Sequence, residues 1–355
     1  MRLNPDARYV MLRLTEKKQS VSEVRLYSQG QLPAYVQSWY APLSKCDLLV
    51  VAAHQGDEFG CFGGMIPYYA QVENRLVQVA YMTSGDREDC QESLNALWTA
   101  GIVNHPQFLG YKDSKTSSLK KAVSQWGGKD DLVGDMVELI RRLQPEVIVT
   151  HAYDGENGDF QHAATAQALA YAVEAAGNAT AYNQSARAYG TWNVKKLYLH
   201  LGDENVLEMD WTTPNEELGG LSPLDAALAA YTAYHDKSES GRQGEDGRFS
   251  LLLSSVGEDV NGSGIFENTA LDSQPEEAPA DEDDPEAQVA ATPAIQFAPE
   301  ATPASASNPG SAEEFSNASL KIILIVGACI AVMLLISISQ VVLYRVLKDK
   351  RTKFY

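Results

Sequence analysis

The sequence predicts a three-layer α/β domain that is built on a mostly parallel sheet. Residues 48–53, LLVVAA, are an uninterrupted apolar run, which is typical of a strand buried on both of its faces. Strand-like and helix-like segments alternate through most of residues 45–236. That alternation indicates parallel strands that are joined by right-handed helical crossovers.

The elements of this domain can be assigned in order along the chain, and together they predict a Rossmann-like arrangement. A second strand is predicted at residues 75–82, and a helix at 90–100 ends before Gly101, a residue that suits the position after a helix. Residues 130–143 place their apolar side chains on one helical face, and Pro145 follows. The other predicted elements are a helix at 65–71, strands at 108–109, 147–150, 194–201 and 249–256, an Ala-rich helix at 162–176, and a helix that opens at Ser222 and Pro223 and ends near residue 235. We assign residues 46–271 to the domain and residues 1–45, with strands expected at 9–14 and 21–27, to an N-terminal extension.

The acidic composition argues against a nucleic-acid partner, and its uneven distribution along the chain indicates a linker. A formal net charge of -19 argues against nucleic acid as a partner. Residues 272–318 are rich in Pro, Ala, Ser, Glu and Asp, and no Lys or Arg occurs from 249 to 320. This segment has too little apolar content to fold, so we predict a disordered linker. The four Cys have neither metal-site spacing nor the pattern of a disulfide framework.

The C-terminal region is predicted to anchor the chain in a lipid bilayer. Residues 322–343 carry no charge and as a helix would be roughly 33 Å long, so we predict a transmembrane helix at 320–344. By the positive-inside rule the basic tail at 345–355 is cytoplasmic, and the domain is extracytoplasmic, although no export signal is visible. The expected localisation is therefore the cell membrane, with a single pass. A buried core helix and a tail anchor with a cytoplasmic domain are the alternatives.

Residues that are able to bind a metal follow two of the predicted strands. His54 and Asp57 come directly after the first strand, and His162 closes the polar loop that follows the strand at 147–150. The carboxyl ends of parallel strands share the edge of a sheet where ligands bind. Two imidazoles, one carboxylate and an open position are the pattern of a catalytic zinc site. From spacing alone, a structural role for these three residues fits equally well.

Several motifs over residues 47–268 resemble, in order, the LmbE-like, PIG-L family of metal-dependent N-deacetylases. In that family the first strand is followed by Ala-His-Pro-Asp-Asp-Glu, and residues 53–58 here read AHQGDE. The late Gly-His-x-x-His segment corresponds to GDFQH at 158–162. The other matches are TSG at 83–85, a helix with Glu92, Ala96, Ala100 and Gly101, and FLGYKD at 108–113.

The resemblance implies a ligand set, a cofactor and a substrate class. The family's metal ligands fall on His54, Asp57 and His162, which implies Zn²⁺ or another divalent metal. Asp113 falls in a segment that is implied to bind substrate. The family removes an acetyl group from an N-acetylglucosamine unit, so the expected substrate is an acetylated amino-sugar conjugate.

Three positions depart from the family pattern. Gly56 stands where the family has its general base, Asp159 where it has the first His of the late motif, and Asp89 where it has an Arg that holds substrate. Glu58, Asp154 and Asp159 are the carboxylates that could have taken over proton transfer. We predict that Asp159 and Glu58 are catalytic, with Asp159 the first choice, although a turn-forming Asp fits that position equally well.

One further acid of the loop, Glu156, has two interpretations. It could hydrogen-bond to a ligand His, or it could be an exposed loop acid, which we favour slightly.

Three functions are consistent with these observations. We favour a membrane-anchored, zinc-dependent N-deacetylase. The alternative is a catalytically impaired member of the same family that binds metal and sugar at the cell surface, which Gly56 and Asp159 motivate. A nucleotide-binding domain ranks third, because no G-x-G-x-x-G is present.

Overall fold

The computed structural model describes residues 35–234, 247–260 and 264–271, together with residues 11, 24–27, 32–33 and 262. The seven strands of its sheet are β1 (Leu48–Ala52), β2 (Val77–Thr83), β3 (Gln107–Tyr111), β4 (Val147–Thr150), β5 (Lys196–His200), β6 (Val206–Glu208) and β7 (Arg248–Ser254). Their order across the sheet is β3-β2-β1-β4-β5-β7-β6. The first five strands run parallel, and β7 runs antiparallel to both β5 and β6. The predicted α/β class with a mostly parallel sheet is confirmed.

Helices connect the strands. They are α1 (Asp57–Gly60), α2 (Met65–Pro67), α3 (Arg87–Thr99), α4 (Leu119–Gln125), α5 (Lys129–Leu143), α6 (Phe160–Ala176), α7 (Asn183–Tyr189) and α8 (Pro223–Tyr231). A π-helix (Tyr68–Val72) continues α2, and single 3₁₀ turns form at Glu156–Gly158 and Glu216–Leu218.

Both faces of the sheet are covered, which explains the continuous apolar run of β1. Leu48 and Val50 join a buried cluster with side chains of α1, α2, α3 and α8, whereas Leu49 and Val51 join a second cluster with α4, α5 and α6. Successive side chains of a strand point to opposite faces, so a strand between two helical layers needs apolar residues at every position.

The strand register sets where functional residues can meet. Val50 of β1 pairs with Val79 of β2 on one side and with Val149 of β4 on the other. The segments that leave β1 at Ala53 and β4 at His151 therefore emerge side by side at the carboxyl edge of the sheet, where ligands bind in open α/β folds.

Several element boundaries differ from the sequence prediction for local reasons. The helix predicted from residue 90 begins at Arg87, because Asp86 accepts the Glu88 and Asp89 amides as the N-cap. The helices α4 and α7 were not predicted, since each has only seven residues and hence little periodicity. Residues 24–27 form no strand. Most of the other predicted strand, at 9–14, lies outside the described residues.

The prediction of a single-pass membrane protein is corrected. Among the residues that the structure describes, no helix combines the length and the apolar character needed to cross a membrane. The segment that motivated the prediction, residues 320–344, lies outside the described residues, as do the predicted linker at 272–318 and the basic tail at 345–355. Membrane anchoring is therefore no part of the function proposed below.

Candidate metal centre

The turn after β1 brings His54 and Asp57 together. Gly56 adopts φ 97°, a left-handed backbone conformation that glycine reaches without steric cost, and α1 begins immediately afterwards. This turn folds the Asp57 carboxylate back, so that its Oδ2 accepts the backbone N–H of His54 at 2.8 Å. The same oxygen lies 3.1 Å from His54 Nδ1.

The first turn of α6 brings His162 to the same point. Its Nε2 lies 3.2 Å from Asp57 Oδ2 and 3.2 Å from His54 Nδ1. One donor atom from each of the three residues lies within 4.8 Å of the others. The structure thus gathers the three predicted metal ligands, which come from positions up to 108 residues apart in the chain.

The donor set of this cluster fits a divalent metal. It offers two imidazole nitrogens and one carboxylate, and each side chain is 9–16% exposed, so that solvent reaches the cluster. Three protein ligands with an accessible fourth position are typical of catalytic zinc.

Mutual attraction dominates the electrostatics of the cluster. Burial opposes charge on His162, but the adjacent Asp57 carboxylate outweighs it and raises the pKa of His162 to about 10. Burial likewise opposes charge on Asp57, yet His162 and His54 hold the pKa of Asp57 well below its usual range. Without a metal the cluster is therefore an ion pair between a carboxylate and an imidazolium.

The second nitrogen of His54 is held by Gln161. The Gln161 amide donates its N–H to the Lys112 carbonyl at 3.0 Å, and its Oε1 accepts the Ser114 N–H at 3.3 Å. That oxygen lies 2.9 Å from His54 Nε2, so His54 donates from Nε2 and keeps Nδ1 available for a metal. Asp113 stands beside this bond, with Oδ1 3.5 Å from His54 Nε2 and a side chain that is 62% exposed.

Glu156 is buried beneath the cluster. Our expectation of an exposed loop acid was wrong, because Glu156 is only 3% exposed. Its carboxylate lies 2.8 Å from His162 Nδ1, 2.9 Å from His151 Nδ1 and 2.8 Å from His200 Nδ1. These imidazoles hold the pKa of Glu156 far below its ordinary value in spite of its burial.

A second group with metal-binding side chains shares His162. Cys61, His151, Glu156 and His162 also place one donor atom each within 4.8 Å of the others. In this group, however, His151 Nε2 accepts the Ala53 backbone N–H at 2.8 Å, which leaves the ring proton on Nδ1. That proton is donated to Glu156, so this group is a hydrogen-bonded network and not a ligand set.

The two predicted catalytic acids occupy different surroundings. Glu58 is fully buried; it accepts the Tyr234 hydroxyl at 2.5 Å and the Gly56 N–H at 2.7 Å. Burial raises the pKa of Glu58 to about 7. Asp159 is half-buried at the N-cap of α6, where its Oδ1 accepts the Gln161 N–H at 2.7 Å. The structure also places Asp89 in the capping box of α3.

Sequence reasoning missed the residues that support the ligands. It assigned no role in the site to Gln161, His151, His200 or Tyr234. The sequence did contain a signal for Gln161, because it directly precedes the predicted ligand His162 and lies two residues after the predicted acid Asp159. The contacts of His200 and Tyr234 span 44 and 176 positions, a separation that no local pattern encodes.

A comparison with known families identifies the domain. The family model of the GlcNAc-PI de-N-acetylases, PIG-L, matches residues 49–173, which include all three clustered residues. Residues 49–173 belong to the PIG-L family.

Curated relatives share the sequence of this chain over a longer stretch than residues 49–173. A 1D-myo-inositol 2-acetamido-2-deoxy-alpha-D-glucopyranoside deacetylase of Catenulispora acidiphila is 30% identical over 196 residues, which cover 47% of this chain and 59% of the relative. The deacetylase of the same description from Rhodococcus jostii is 28% identical over 194 residues, which cover 47% of this chain and 65% of the relative. The chain thus spans less than two thirds of the length of either relative.

A solved structure is also similar to this chain. The conserved protein TT1542 from Thermus thermophilus has a TM-score of 0.41 and 19% sequence identity, over 59% of this chain and 95% of that chain.

Proposed function

We propose that the chain is a metal-dependent N-deacetylase that hydrolyses the acetamide of an N-acetylglucosamine-type sugar conjugate. The observation that supports this most is the convergence of His54, Asp57 and His162 at the carboxyl edge of the sheet inside a PIG-L domain. Both curated relatives carry the name of a deacetylase of a 2-acetamido sugar, which agrees with this reaction and substrate class.

We propose Zn²⁺ as the metal, because the donor set matches its preference for imidazole and carboxylate ligands. His54 would bind through Nδ1, His162 through Nε2 and Asp57 through its carboxylate. The bound metal would polarise the amide carbonyl and lower the pKa of water for attack on the carbonyl carbon.

The remaining site residues are assigned by their position. We propose that Asp113 binds a sugar hydroxyl, since its exposed carboxylate stands at the rim beside His54. Asp159 is the proposed proton-transfer residue: one oxygen caps α6, and the other would take up the proton that the attacking water loses and pass it to the leaving amine as the C–N bond breaks. A catalytic role for Glu58 stays a prediction. Its hydrogen bonds to Tyr234 and Gly56 favour instead a role in holding the turn.

Gly56 limits the rate that we expect. With hydrogen in place of a side chain, it supplies no carboxylate to take a proton from water, and such assistance contributes typically about 10² to 10⁴ in rate. We therefore expect slow hydrolysis. An impaired, binding-only protein is the competing function, and it differs in having no turnover at all.

The test is acetate release from a panel of N-acetylglucosamine conjugates by the full chain after loading with Zn²⁺. Wild type is expected to release one acetate for each free amine formed. His162→Ala should abolish both release and stoichiometric zinc, whereas His105→Ala, which changes a half-buried His outside the cluster, should keep both. No release by wild type across the panel, or equal release by His162→Ala, would contradict the proposal.

A further inference from the structure

We propose that Glu156 is a positioning residue that keeps the ring proton of His162 on Nδ1 and so presents Nε2 to the metal. This inference rests on the proposed function for the identity of the metal ligands. It concerns a residue that touches neither the metal position nor substrate, and that acts only through His162.

The first step of the argument is that Glu156 has no free acceptor position. Its Oε2 faces His162 Nδ1 and His151 Nδ1, and its Oε1 faces His200 Nδ1 and the Ala152 N–H, which lies 3.0 Å away. An ionised carboxylate offers about four acceptor positions and no donor. Each of the three imidazoles must therefore carry its proton on Nδ1.

The second step is an independent check on one of these three rings. His151 accepts the Ala53 N–H at Nε2, and a backbone amide can only donate. The Ala53 amide thus requires the Nδ1–H form of His151 without reference to Glu156. The Ala53 amide and the Glu156 carboxylate thus place the His151 proton on the same nitrogen, Nδ1. This agreement supports donation from Nδ1 to Glu156 at His162 as well.

The third step concerns the direction of the His162 ring. With Nδ1 held at 2.8 Å from Glu156, the opposite nitrogen Nε2 points at Asp57 and His54, each 3.2 Å away. The rings of His151 and His162 stack at a centroid distance of 3.9 Å, which restricts rotation further. When His162 Nε2 loses the proton that it carries in the metal-free protein, its lone pair can bind a metal. The ring does not have to turn for this.

The loop backbone explains why Glu156 can reach this position. Gly155, on its N-terminal side, adopts φ 81°, and Asn157, on its C-terminal side, adopts φ 54°. A Cβ at Gly155 would stand 2.1 Å from the Asp159 carbonyl oxygen. Glycine is therefore required there for the loop to fold inward over the end of α6.

The test compares zinc affinity in wild type, Glu156→Gln and Asp154→Asn by competition with a chelator. The Gln side chain has nearly the shape of Glu, but its NH₂ faces at least one of the three imidazole N–H groups, which must then move or change tautomer. We expect zinc affinity to fall by about 10- to 100-fold in Glu156→Gln. Asp154→Asn removes an exposed carboxylate from the same loop and should stay within twofold of wild type.

A second measurement does not depend on any variant. Ring ¹H–¹⁵N correlation spectra of the zinc-loaded wild type should show His162 protonated at Nδ1 and bound through Nε2. A proton on His162 Nε2 in the zinc-loaded protein overturns the proposal, even if Glu156→Gln does not fold. Zinc affinity in Glu156→Gln within twofold of wild type also overturns it, as does a wild type that binds no zinc.

A wild type that binds no zinc contradicts both this inference and the proposed function, whereas the other outcomes separate the two. If zinc binding depends on Glu156 but no conjugate is hydrolysed, the proposed function fails and this inference stands. If conjugates are hydrolysed and zinc affinity is indifferent to Glu156, the proposed function stands and this inference fails.

Discussion

Glu156 and Arg141 are both buried charged side chains, and their surroundings differ in a way that separates function from folding. Glu156 receives hydrogen bonds mainly from three imidazoles, one of which belongs to the candidate metal centre. Arg141, on α5, donates to the carbonyls of Ala175, Ala176, Asn178, Ala181 and Tyr182 and to the Ser185 hydroxyl.

The difference lies in what each partner can do. The carbonyls around Arg141 do not titrate, so that cluster only fixes the end of α6 and the segment leading to α7 against α5. The imidazoles around Glu156 have two nitrogens each, and a proton that is held on one nitrogen determines what the other can bind. The same physical need, to satisfy a buried charge, thus stabilises the fold in one place and orients a candidate ligand in the other.

The largest expected effect in this comparison is on stability, from Arg141→Met. Met retains much of the packing but removes every hydrogen bond that the guanidinium donates to the five carbonyl oxygens and to the Ser185 hydroxyl, so the free energy of unfolding should fall by about 3–5 kcal/mol. Zinc affinity of the folded protein should stay within twofold, because Arg141 contacts none of the clustered residues. Urea denaturation without metal measures the first quantity and chelator competition the second.

Arg142→Met is the matched control for this substitution. Arg142 is the next residue of α5, exposed, with one hydrogen bond to Gln107. It should change stability by no more than about 0.5 kcal/mol. Equal losses for Arg141→Met and Arg142→Met would show that the carbonyl cluster contributes little to the fold.

The same contrast explains what could be predicted from the sequence. Six of the seven strands and the three clustered residues could be predicted, because apolar runs and side-chain chemistry are local signals; the three-residue strand β6 was not predicted. Nothing indicated that Arg141 is buried, since backbone carbonyls, which any residue supplies, surround it. Glu156 was assigned to the surface because its loop is rich in Gly, Asp and Asn, whereas two left-handed residues, Gly155 and Asn157, in fact fold it inward.

The second prediction tests whether this inward fold is needed for metal binding. Gly155→Ala introduces a Cβ that meets the Asp159 carbonyl oxygen at 2.1 Å and the Ala163 nitrogen at 3.0 Å. We expect the loop to shift, stability to fall by about 2–3 kcal/mol, and zinc affinity to fall at least tenfold. Denaturation and chelator competition report the two effects.

Gly158→Ala supplies the matched glycine in the same loop. Gly158 also has a positive φ, 74°, but a Cβ there meets nothing within 4 Å. The free energy of unfolding should fall by only about 1 kcal/mol, which is the cost of placing Ala in a left-handed backbone conformation. Zinc affinity should stay within threefold of wild type. If both variants lose zinc equally, backbone strain anywhere in the loop is sufficient and the position of Glu156 is not the cause.

The third prediction concerns how the zinc affinity of the candidate metal centre depends on pH. The pKa of His162 is raised from 6.5 to about 10, so below pH 10 the metal-free folded protein holds a proton there that a metal must displace. Zinc affinity should therefore rise with pH, by about tenfold per unit between pH 6 and 8 for one displaced proton. Chelator competition in a series of buffers measures the slope. A zinc affinity that is independent of pH over this range would contradict the ion pair between His162 and Asp57.

The smallest expected effect comes from His200→Phe, which removes one of the donors to Glu156 on the side away from His162. His200 Nε2 has no hydrogen-bond partner among the described residues, and its ring packs against Phe62 and Phe249 at centroid distances of 6.0 and 5.6 Å. Phe removes that unsatisfied nitrogen together with the bond to Oε1, so stability should change by less than about 1 kcal/mol. Zinc affinity should fall less than threefold, because both donors to Oε2 remain. A loss as large as that of Glu156→Gln would mean that the carboxylate shifts when one donor is missing, and that all three imidazoles hold the metal ligand as a single unit.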